Sequence, residues 1–301
     1  MKKSKQALIY IILLNYNGYE DTVECISSLE SIDYDNYEIV IVDNCSTDNS
    51  YKKFKEKYSE LNYNILKSEY NCGFAGGNNI GIEFSLNNGA DYVLLLNNDT
   101  IVEKNFLKEL VESIEKEKNS CVGIGKIYYF SDNKRIWYAG GKIDEYKGNS
   151  VHFGYNEIDN GKYDNERYVE FATGCFLLIS KKIIEKVGLL NEDYFLYYED
   201  TDYCYKMKEK GINIKYCPKS VIYHKISAST GRKSYLFQYY YLRNRLVFIK
   251  KHIKNIRKLS AYFYVLLSTI KKLVTNQYKF RPIISGIIDY KHNKLGKKIF
   301  D

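Results

Sequence analysis

Three carboxylates occur within four residues, directly after two tyrosines: Glu199, Asp200 and Asp202 follow Tyr197 and Tyr198. Carboxylates this close repel one another, and the repulsion raises the pKa of one of them toward the range that suits a general base. The alternative is structural, because Asp200 or Asp202 in the first turn of a helix would stabilise the helix N-terminus. The residues alone leave both interpretations open.

Another carboxylate stands at the end of an apolar run, where Asn97, Asn98 and Asp99 follow three leucines. An aspartate at a strand end is a suitable ligand for Mg²⁺ or Mn²⁺, and the cation in turn binds phosphate oxygens. A simple turn is the alternative. His224, one of four histidines, also follows an apolar run. It is a candidate second metal ligand if the fold brings it to Asp99, and otherwise a structural histidine.

Two polar segments point to nucleotide binding. Asp43 follows an apolar run in the sequence Val-Asp-Asn-Cys-Ser-Thr-Asp, where it can accept hydrogen bonds from a base or ribose or simply form a turn. Gly73, Gly76 and Gly77 precede a predicted helix, and glycine there lets backbone amides approach a ligand. Their spacing matches neither the dinucleotide-binding pattern nor the P-loop. A flexible connector is the alternative interpretation of the glycine segment.

Apolar runs alternate with helix-period segments through the first 127 residues. We predict strands at 7–14, 37–42, 64–67, 92–96 and 122–127, and helices at 21–32, 50–58, 79–86 and 102–118. This alternation predicts an α/β fold with a mostly parallel central sheet flanked by helices. Ligands bind at the carboxyl ends of the strands in such sheets. The polar segments described above follow those strands, so we expect them to gather at one edge.

Beyond residue 127 the pattern changes. Residues 128–168 predict irregular loops or a small hairpin, and order returns at 169–179, interrupted at Thr173-Gly174. A helix is predicted at 201–210, ended by Gly211, with short strands at 212–217 and 221–223. From 235 to about 274 the periodicity is helical throughout.

Several motifs occur along the chain in a fixed order: Asn-Tyr-Asn-Gly, Val-Asp-Asn-x-Ser-Thr-Asp, Asn-x-Gly-Phe-Ala-Gly-Gly-Asn-Asn, Leu-Leu-Asn-Asn-Asp-Thr, Thr-Gly-Cys, Tyr-Tyr-Glu-Asp-Thr-Asp, a late histidine and Tyr-Leu-Arg-Asn. Together they resemble glycosyltransferase family 2, in particular its rhamnosyltransferase-like and galactofuranosyltransferase-like members, over about residues 7–250. The resemblance implies a GT-A domain at 1–234, with a nucleotide-binding half at 1–127 and an acceptor half at 128–234. Residues 235–301 would form a basic, amphipathic helical C-terminal extension.

The resemblance also implies roles for individual residues. The residues expected to contact the nucleotide-sugar donor are Asn15, Asn17, Asp43, Asn44, Ser46, Gly73, Phe74, Ala75, Asn78, Asn97 and Asn98. Asp99 matches the last carboxylate of the family's D-x-D site and would hold Mg²⁺ or Mn²⁺ with His224. The first position of that site is Asn97, so one carboxylate of the family pattern is missing. Asp200 matches the catalytic base, with Asp202 as the alternative.

The function that the resemblance implies is inverting transfer of a rhamnose-like or related hexose to a glycan or lipid-linked glycan in cell-surface polysaccharide synthesis. The donor would be a dTDP- or UDP-linked sugar. One alternative is a sugar-nucleotide nucleotidyltransferase. Its first loop would need cations to bind triphosphate, and the loop at 15–18 is uncharged. The other alternative is a non-catalytic, membrane-associated scaffold with the same fold.

The charge is distributed unevenly along the chain. Residues 243–301 carry 15 Lys and Arg against two acids, a net charge of +13, whereas residues 1–242 carry −5. Within 246–274 apolar residues recur on one helical face, with cations on other faces. We expect a seat on anionic membrane, which places the protein in the cytoplasm on the inner face of the cell membrane. A core-packing helix is the alternative, and no nucleic-acid partner is predicted.

Overall fold

The computed structural model describes residues 6–58, 63–117, 121–225 and 234–299. Within these ranges the chain forms a ten-stranded mixed sheet and a separate two-stranded hairpin. The strands of the large sheet are β1 (Ile9–Asn15), β2 (Tyr37–Asp43), β3 (Asn64–Lys67), β4 (Tyr92–Asn97), β5 (Thr100–Val102), β6 (Cys121–Tyr129), β7 (Asp132–Tyr138), β10 (Arg167–Val169), β11 (Phe176–Ser180) and β12 (Asn213–His224). The hairpin consists of β8 (Gly141–Asp144) and β9 (Asn149–His152).

The spatial order of the main path is β10-β12-β6-β11-β4-β1-β2-β3, while β5 pairs with β12 and β7 with β6. The strands β1, β2, β3 and β4 run parallel. The strand β11 is antiparallel to both β4 and β6, and β12 is parallel to β6. Consequently β6 and β12 point in the same direction as β1, and all their carboxyl ends lie at one edge. The predicted mostly parallel sheet is confirmed.

The sheet is flanked by helices, as predicted. The helices of the first 210 residues are α1 (Tyr19–Leu29), α2 (Ser50–Tyr58), α3 (Gly73–Asn87), α4 (Phe106–Glu115), α5 (Lys181–Val187) and α6 (Glu199–Glu209). The strands between them are buried on both faces, as their continuous apolar runs require. The predicted helix at 102–118 is shorter at its start, because 100–102 form β5.

The helix predicted to begin at residue 79 begins instead at Gly73. The glycines predicted to precede it therefore lie inside its first turns. A Cβ atom on Gly77 would stand 2.4 Å from a methyl group of Leu14, so this glycine serves close packing of the helix on β1. Gly76 and Gly77 occupy the fourth and fifth helical positions, where most backbone amides are used inside the helix. The expectation that these amides face a ligand is wrong for this pair.

Two predictions for the second half also need correction. The strands predicted at 212–217 and 221–223 form one strand, β12, with an irregularity between Cys217 and Val221. The single helix predicted from 235 to 274 is divided into α7 (Tyr235–His252) and α8 (Asn255–Val274), followed by α9 (Phe280–Lys291). The division occurs because Ile253 and Lys254 are extended, with ψ of 136° and 166°.

The division changes the predicted amphipathic face. Its first three positions, Leu246, Ile249 and Ile253, are buried in the core instead of facing outward. The remaining apolar positions on α8 are mostly exposed. The basic region therefore contains a core-packing helix followed by a helix with an exposed apolar face. The domain boundary expected between 234 and 235 stays a prediction.

Candidate active site

The sheet brings two of the predicted site residues into direct contact. Asp99 immediately precedes β5, and β5 pairs antiparallel with the last three residues of β12, with Thr100 opposite His224. The Oδ1 atom of Asp99 consequently lies 3.1 Å from Nε2 of His224. Both side chains are buried, and the indole of Trp137 packs edge-to-face on the His224 ring at a centroid distance of 4.7 Å.

The Asp99–His224 pair fits a divalent cation. Neighbouring ligands of an octahedral ion with bonds of about 2.1 Å lie about 3 Å apart, which matches the separation of the two atoms. The second nitrogen of His224, Nδ1, has no hydrogen-bond partner within the described part of the chain. Within that same part, no group of three His, Cys, Asp or Glu side chains could hold a metal. The protein would thus supply two ligands and leave other positions to phosphate oxygens or water.

The loops after β1 and β2 are joined by a buried polar network. The carboxylate of Asp43 accepts hydrogen bonds from Nδ2 of Asn15 at 3.0 Å and from the backbone amide of Ser46 at 3.0 Å. The Ser46 hydroxyl in turn accepts a hydrogen bond from the backbone amide of Asn17, at 3.0 Å. Asp43 has no exposed surface. Its carboxylate holds the two loops in place, and its predicted contact with a nucleotide base stays a prediction.

Asn44 fixes the glycine segment that begins α3. Its Nδ2 donates to the Gly73 carbonyl at 3.0 Å, and its Oδ1 accepts from the Cys72 amide at 2.9 Å. Asn78 donates to the Phe74 carbonyl at 2.9 Å, within the first turns of the same helix. Asn44 and Asn78, which were both predicted to contact the nucleotide-sugar donor, therefore position the turn around Gly73.

Two predicted residues of this edge point their side chains at protein partners. The Nδ2 of Asn98 donates to the Thr22 hydroxyl at 2.8 Å and lies 3.4 Å from Oδ1 of Asn15. Ala75 is fully buried in the core. Both residues shape the edge, and their predicted donor contacts stay predictions.

Asp200 lies in the first turn of α6 and meets the Thr173-Gly174-Cys175 segment before β11. The Gly174 amide donates to Oδ2 of Asp200 at 3.4 Å. A Cβ atom on Gly174 would stand 2.8 Å from the ring of Phe74, so the glycine lets Phe74 and Asp200 lie close together. The next residue, Cys175, accepts a hydrogen bond from the Asn97 amide at 2.9 Å. Asp200 is thus linked through two adjacent residues to the strand end that leads to Asp99.

The three neighbouring carboxylates have different environments. Burial raises the pKa of Asp200 to about 6, although the Thr201 and Gly174 amides oppose the rise. Burial and the charges of Asp200 and Asp202 raise the pKa of Glu199 well above its ordinary value. A carboxylate with a pKa near 6 is ionised at neutral pH and basic enough to accept a proton. The assignment of Asp200 as the catalytic base stays a prediction.

Asp202 is held in an ion-pair cluster. It is fully buried, and its Oδ1 accepts hydrogen bonds from His252 at 2.7 Å, Lys251 at 2.9 Å and Tyr194 at 3.0 Å. Burial opposes its ionisation, but the hydrogen bonds from His252 and Lys251 and the charges of Lys206 and Lys251 outweigh burial and hold the pKa of Asp202 below its ordinary value. Asp202 joins α6 to the end of α7 and has no surface for a substrate.

The segment between the short 3₁₀ helix Glu192–Tyr194 and α6 is strained. Phe195, Tyr197 and Tyr198 all have positive φ, a conformation that costs non-glycine residues free energy and clusters at functional sites. The Phe195 carbonyl also accepts a hydrogen bond from the Phe74 amide at 2.7 Å. The strained segment therefore connects the start of α3 with Asp200.

Two residues of α7 hold this segment. The Nδ2 of Asn244 lies within 2.8 Å of the carbonyl oxygens of Tyr194, Leu196 and Tyr197. Arg243 donates to the Tyr194 carbonyl at 3.2 Å. The sequence motif Tyr-Leu-Arg-Asn was the only signal for this pair, and it gave neither residue a role. Trp137, the single tryptophan, carried no sequence signal.

A model of the family "Glycosyl transferase family 2" matches residues 10–188, more than half of the chain. The chain belongs to this family. The hexosyltransferase Agl10 of low-salt glycan biosynthesis in Haloferax volcanii is 29% identical over 240 residues, covering 79% of this chain and 74% of Agl10. The chain is also similar to the dTDP-rhamnosyl transferase RfbF of Shigella flexneri, at 22% identity over 290 residues, 93% of each chain.

Solved structures confirm the GT-A fold of this family member. GalNAc-T7 with UDP, GalNAc and Mn²⁺ superposes with a TM-score of 0.70 at 15% identity, over 96% of this chain and 55% of GalNAc-T7. This chain therefore spans about half the length of that enzyme. The mannosyltransferase PcManGT from Pyrobaculum calidifontis, with GDP-Man and Mn²⁺, superposes with a TM-score of 0.58 at 14% identity, over 97% and 89% of the two chains.

Proposed function

We propose that this glycosyltransferase moves a hexose, with inversion, from a nucleoside-diphosphate donor to a hydroxyl group of a glycan. The observation that carries the proposal is the placement of Asp200. Its carboxylate accepts a hydrogen bond from the amide of Gly174, which packs closely against the ring of Phe74. The next residue, Cys175, is joined to Asn97 by a backbone hydrogen bond. Gly174 and Cys175 thus connect the Asp200 carboxylate to Asn97, two residues before Asp99.

Asp200 would act as the general base. It takes the proton of the acceptor hydroxyl while that oxygen forms its bond to the anomeric carbon and the bond from this carbon to the diphosphate breaks. A single displacement from the opposite face inverts the anomeric configuration. The geometry favours Asp200 over Asp202 for this role, since the Asp202 carboxylate is buried and already accepts three hydrogen bonds.

Asp99 and His224 would hold Mg²⁺ or Mn²⁺. When bound, such a cation offsets the negative charge that grows on the departing diphosphate. Support comes from the 3.1 Å separation of the two ligand atoms and from the Mn²⁺ named in both structural neighbours. Asn97 stands where the family pattern has a carboxylate, so the protein contributes less charge to the cation than that pattern would.

The donor is proposed to carry dTDP or UDP, and the sugar to be rhamnose or a related hexose. The name of RfbF supports dTDP-rhamnose, and the UDP in the GalNAc-T7 structure supports UDP. The acceptor would be a glycan or lipid-linked glycan of a cell-surface polysaccharide. No nucleic acid is proposed as a partner.

An anionic membrane is the proposed location of the acceptor. The exposed apolar residues of α8 form one stripe: Ile256, Leu259, Phe263, Leu266, Leu267, Ile270 and Val274. The stripe is about 27 Å long at 1.5 Å per residue, and Lys254 and Lys271 are exposed at its ends. None of the described helices is long and apolar enough to cross a bilayer. The stripe suits a helix that lies in the interface, on the inner face of the cell membrane.

The donor is tested with a panel of sugar nucleotides. We expect a dTDP- or UDP-linked hexose to raise the melting temperature in the presence of Mn²⁺ and to be hydrolysed slowly to the nucleoside diphosphate. Proton NMR of the transfer product then gives its anomeric configuration, which should be opposite to that of the donor. A protein that neither binds nor cleaves any sugar nucleotide would be the predicted alternative, a non-catalytic scaffold.

Membrane binding is tested by co-sedimentation with vesicles that contain phosphatidylglycerol. The double variant Leu259→Glu/Phe263→Glu should lose most binding, because it places two charges on the stripe. The control Ile158→Glu/Tyr168→Glu adds the same two charges at exposed Ile and Tyr residues outside the stripe and should bind normally. Equal binding by both variants would contradict the proposal that the stripe of α8 binds the membrane. Truncation after Asn244 is unsuitable, since it removes the buried Phe248, Ile249 and His252.

A further inference from the structure

A cavity of about 600 Å³ lies between the β8–β9 hairpin and the C-terminal helices. Rings dominate its walls: His152 and Tyr155 on one side, Phe237 and Tyr241 of α7 on the other, and Tyr278 beside Lys272 at the end of α8. The volume falls in the range of small-molecule sites, about 300–1,000 Å³. The residues predicted to contact the donor do not line the cavity.

The lining has the chemistry of a carbohydrate site. A hexose presents apolar C–H faces and a polar edge of hydroxyl groups, so it binds best where flat rings and hydrogen-bonding groups alternate. The side chains of Asn149, Ser150 and Gln277 supply amide and hydroxyl groups between the rings. Among the lining residues that the structure describes, Lys272 is the one cation and no Asp or Glu is present.

One wall of the cavity leads to the proposed metal ligands. The His152 ring, which lines the cavity, lies 5.0 Å from the Trp137 ring, edge-to-face. Trp137 in turn lies 4.7 Å from the His224 ring. A ligand against His152 is therefore separated from the Asp99–His224 pair by two rings, those of His152 and Trp137.

The opposite wall leads to the proposed base. Phe237 and Tyr241 stack on each other at 5.0 Å, and Phe237 contacts Tyr197 at 5.2 Å. Tyr241 also contacts Tyr198 at 5.3 Å. Tyr198 is two residues before Asp200, so this wall continues into the start of α6. Ring contacts therefore connect the cavity both to the Asp99–His224 pair and to the start of the helix that carries Asp200.

We propose that this cavity binds the glycan of the acceptor, with its sugar rings against Tyr155, Phe237 and Tyr241. The inference rests on the proposed glycosyl transfer and gives the C-terminal helices a part in acceptor binding. Lys272 belongs to α8, the helix with the exposed apolar stripe.

The test compares Tyr155→Ala and Phe237→Leu with the control Tyr168→Ala. Tyr155 is 42% exposed and Tyr168 is 54% exposed, but Tyr168 lies on β10, outside the cavity. Transfer of radiolabelled sugar is measured with membranes of the source cell as acceptor, varying the amount of membrane and then of donor. Loss of one stacking contact should raise the KM for the acceptor about 3- to 10-fold in each cavity variant. The KM for the donor should change less than twofold.

Two results would overturn the proposal: an acceptor KM like that of the control in both cavity variants, or a rise in donor KM equal to that in acceptor KM. The second result would assign the cavity to the donor. Absence of sugar-nucleotide hydrolysis by the wild-type protein would instead contradict the proposed function itself. The circular dichroism melting temperature shows that each variant is folded, and Phe237→Leu, which keeps an apolar side chain, guards against a packing defect.

Discussion

The Nδ2 atom of Asn244 lies 2.8 Å from the carbonyl oxygen of Tyr197, across almost fifty residues of sequence. The same nitrogen contacts two further carbonyls of the segment, and Phe195, Tyr197 and Tyr198 are held there with positive φ. Strained residues persist only where the surrounding structure holds them. Asn244 is therefore a positioning residue for the segment that ends at Asp200.

Replacement of Asn244 should weaken both stability and turnover. Asn244→Ala leaves buried carbonyls without a donor and should lower the free energy of unfolding by about 2–3 kcal/mol. Asn244→Asp should be at least as damaging, since its carboxylate cannot donate and faces carbonyl oxygens. Urea unfolding and kcat check this. The control Asn88→Ala removes one exposed hydrogen bond, to the Phe84 carbonyl, and should cost under about 1 kcal/mol.

If Asn244→Ala kept wild-type kcat, the segment would not need Asn244 to position Asp200. If Asn244→Asp were more stable than Asn244→Ala, the assigned direction of the hydrogen bonds would be wrong.

The sequence predicted the sheet well, because strands such as β1 and β4 are continuous apolar runs with a polar residue at the end. It placed Asp99 and His224 at strand ends, and the topology then made them neighbours. The prediction from sequence failed where one residue pattern is compatible with two structures. The glycines of α3 look like a loop, yet Gly77 packs against Leu14 within the helix.

The C-terminal region failed for another reason. Helical periodicity in the sequence continues through Ile253 and Lys254, although the backbone of both residues is extended. The sequence therefore predicted one continuous apolar face where the structure has two separate helices. Whether an apolar residue faces the core or the membrane depends on tertiary contacts that periodicity does not contain. The role of Asn244 was hidden likewise, since its partners are backbone carbonyls of a distant segment.

Gly73 should be irreplaceable for a reason beyond its backbone conformation. Both Gly73 and Gly89 have positive φ, 74° and 85°, but a Cβ atom would stand 2.2 Å from the Phe195 carbonyl at Gly73 and meet nothing at Gly89. Gly89→Ala should lower the free energy of unfolding by about 1–2 kcal/mol, the cost of the conformation alone. Gly73→Ala should cost more and also weaken donor affinity. Equal effects of the two substitutions on stability and donor affinity would refute the close contact.

The single tryptophan offers a direct assay for the metal site. Mn²⁺ bound between Asp99 and His224 should quench the fluorescence of Trp137, whose ring packs on His224 at 4.7 Å. With UDP or dTDP present, we expect saturable quenching by Mn²⁺ that Mg²⁺ reverses by competition. Asp99→Asn should abolish the quenching, whereas Asp35→Asn, at an exposed position, should leave it unchanged. Undiminished quenching in Asp99→Asn would place the cation elsewhere.

The raised pKa of Asp200 predicts linked effects of pH. Turnover requires the ionised carboxylate, so kcat should fall about tenfold per pH unit below about pH 6. Folding raises this pKa from 3.8, so ionisation destabilises the folded state as the pH rises from about 4 to above 6. Asp200→Asn should remove that cost and so stabilise the protein, by more at pH 7.5 than at pH 5. Urea unfolding at the two pH values checks the sign; a gain that shrinks at higher pH would contradict it.

The most direct test of the account is the turnover of Asp200→Asn with the donor that the panel identifies. The substitution keeps the size of the side chain and its acceptor oxygen for the Gly174 amide, but it removes the base. We predict that kcat falls by about 10²- to 10⁴-fold, while the Kd for the donor stays within twofold of the wild-type value. A kcat close to that of the wild-type protein would contradict the role of Asp200 as the base in sugar transfer.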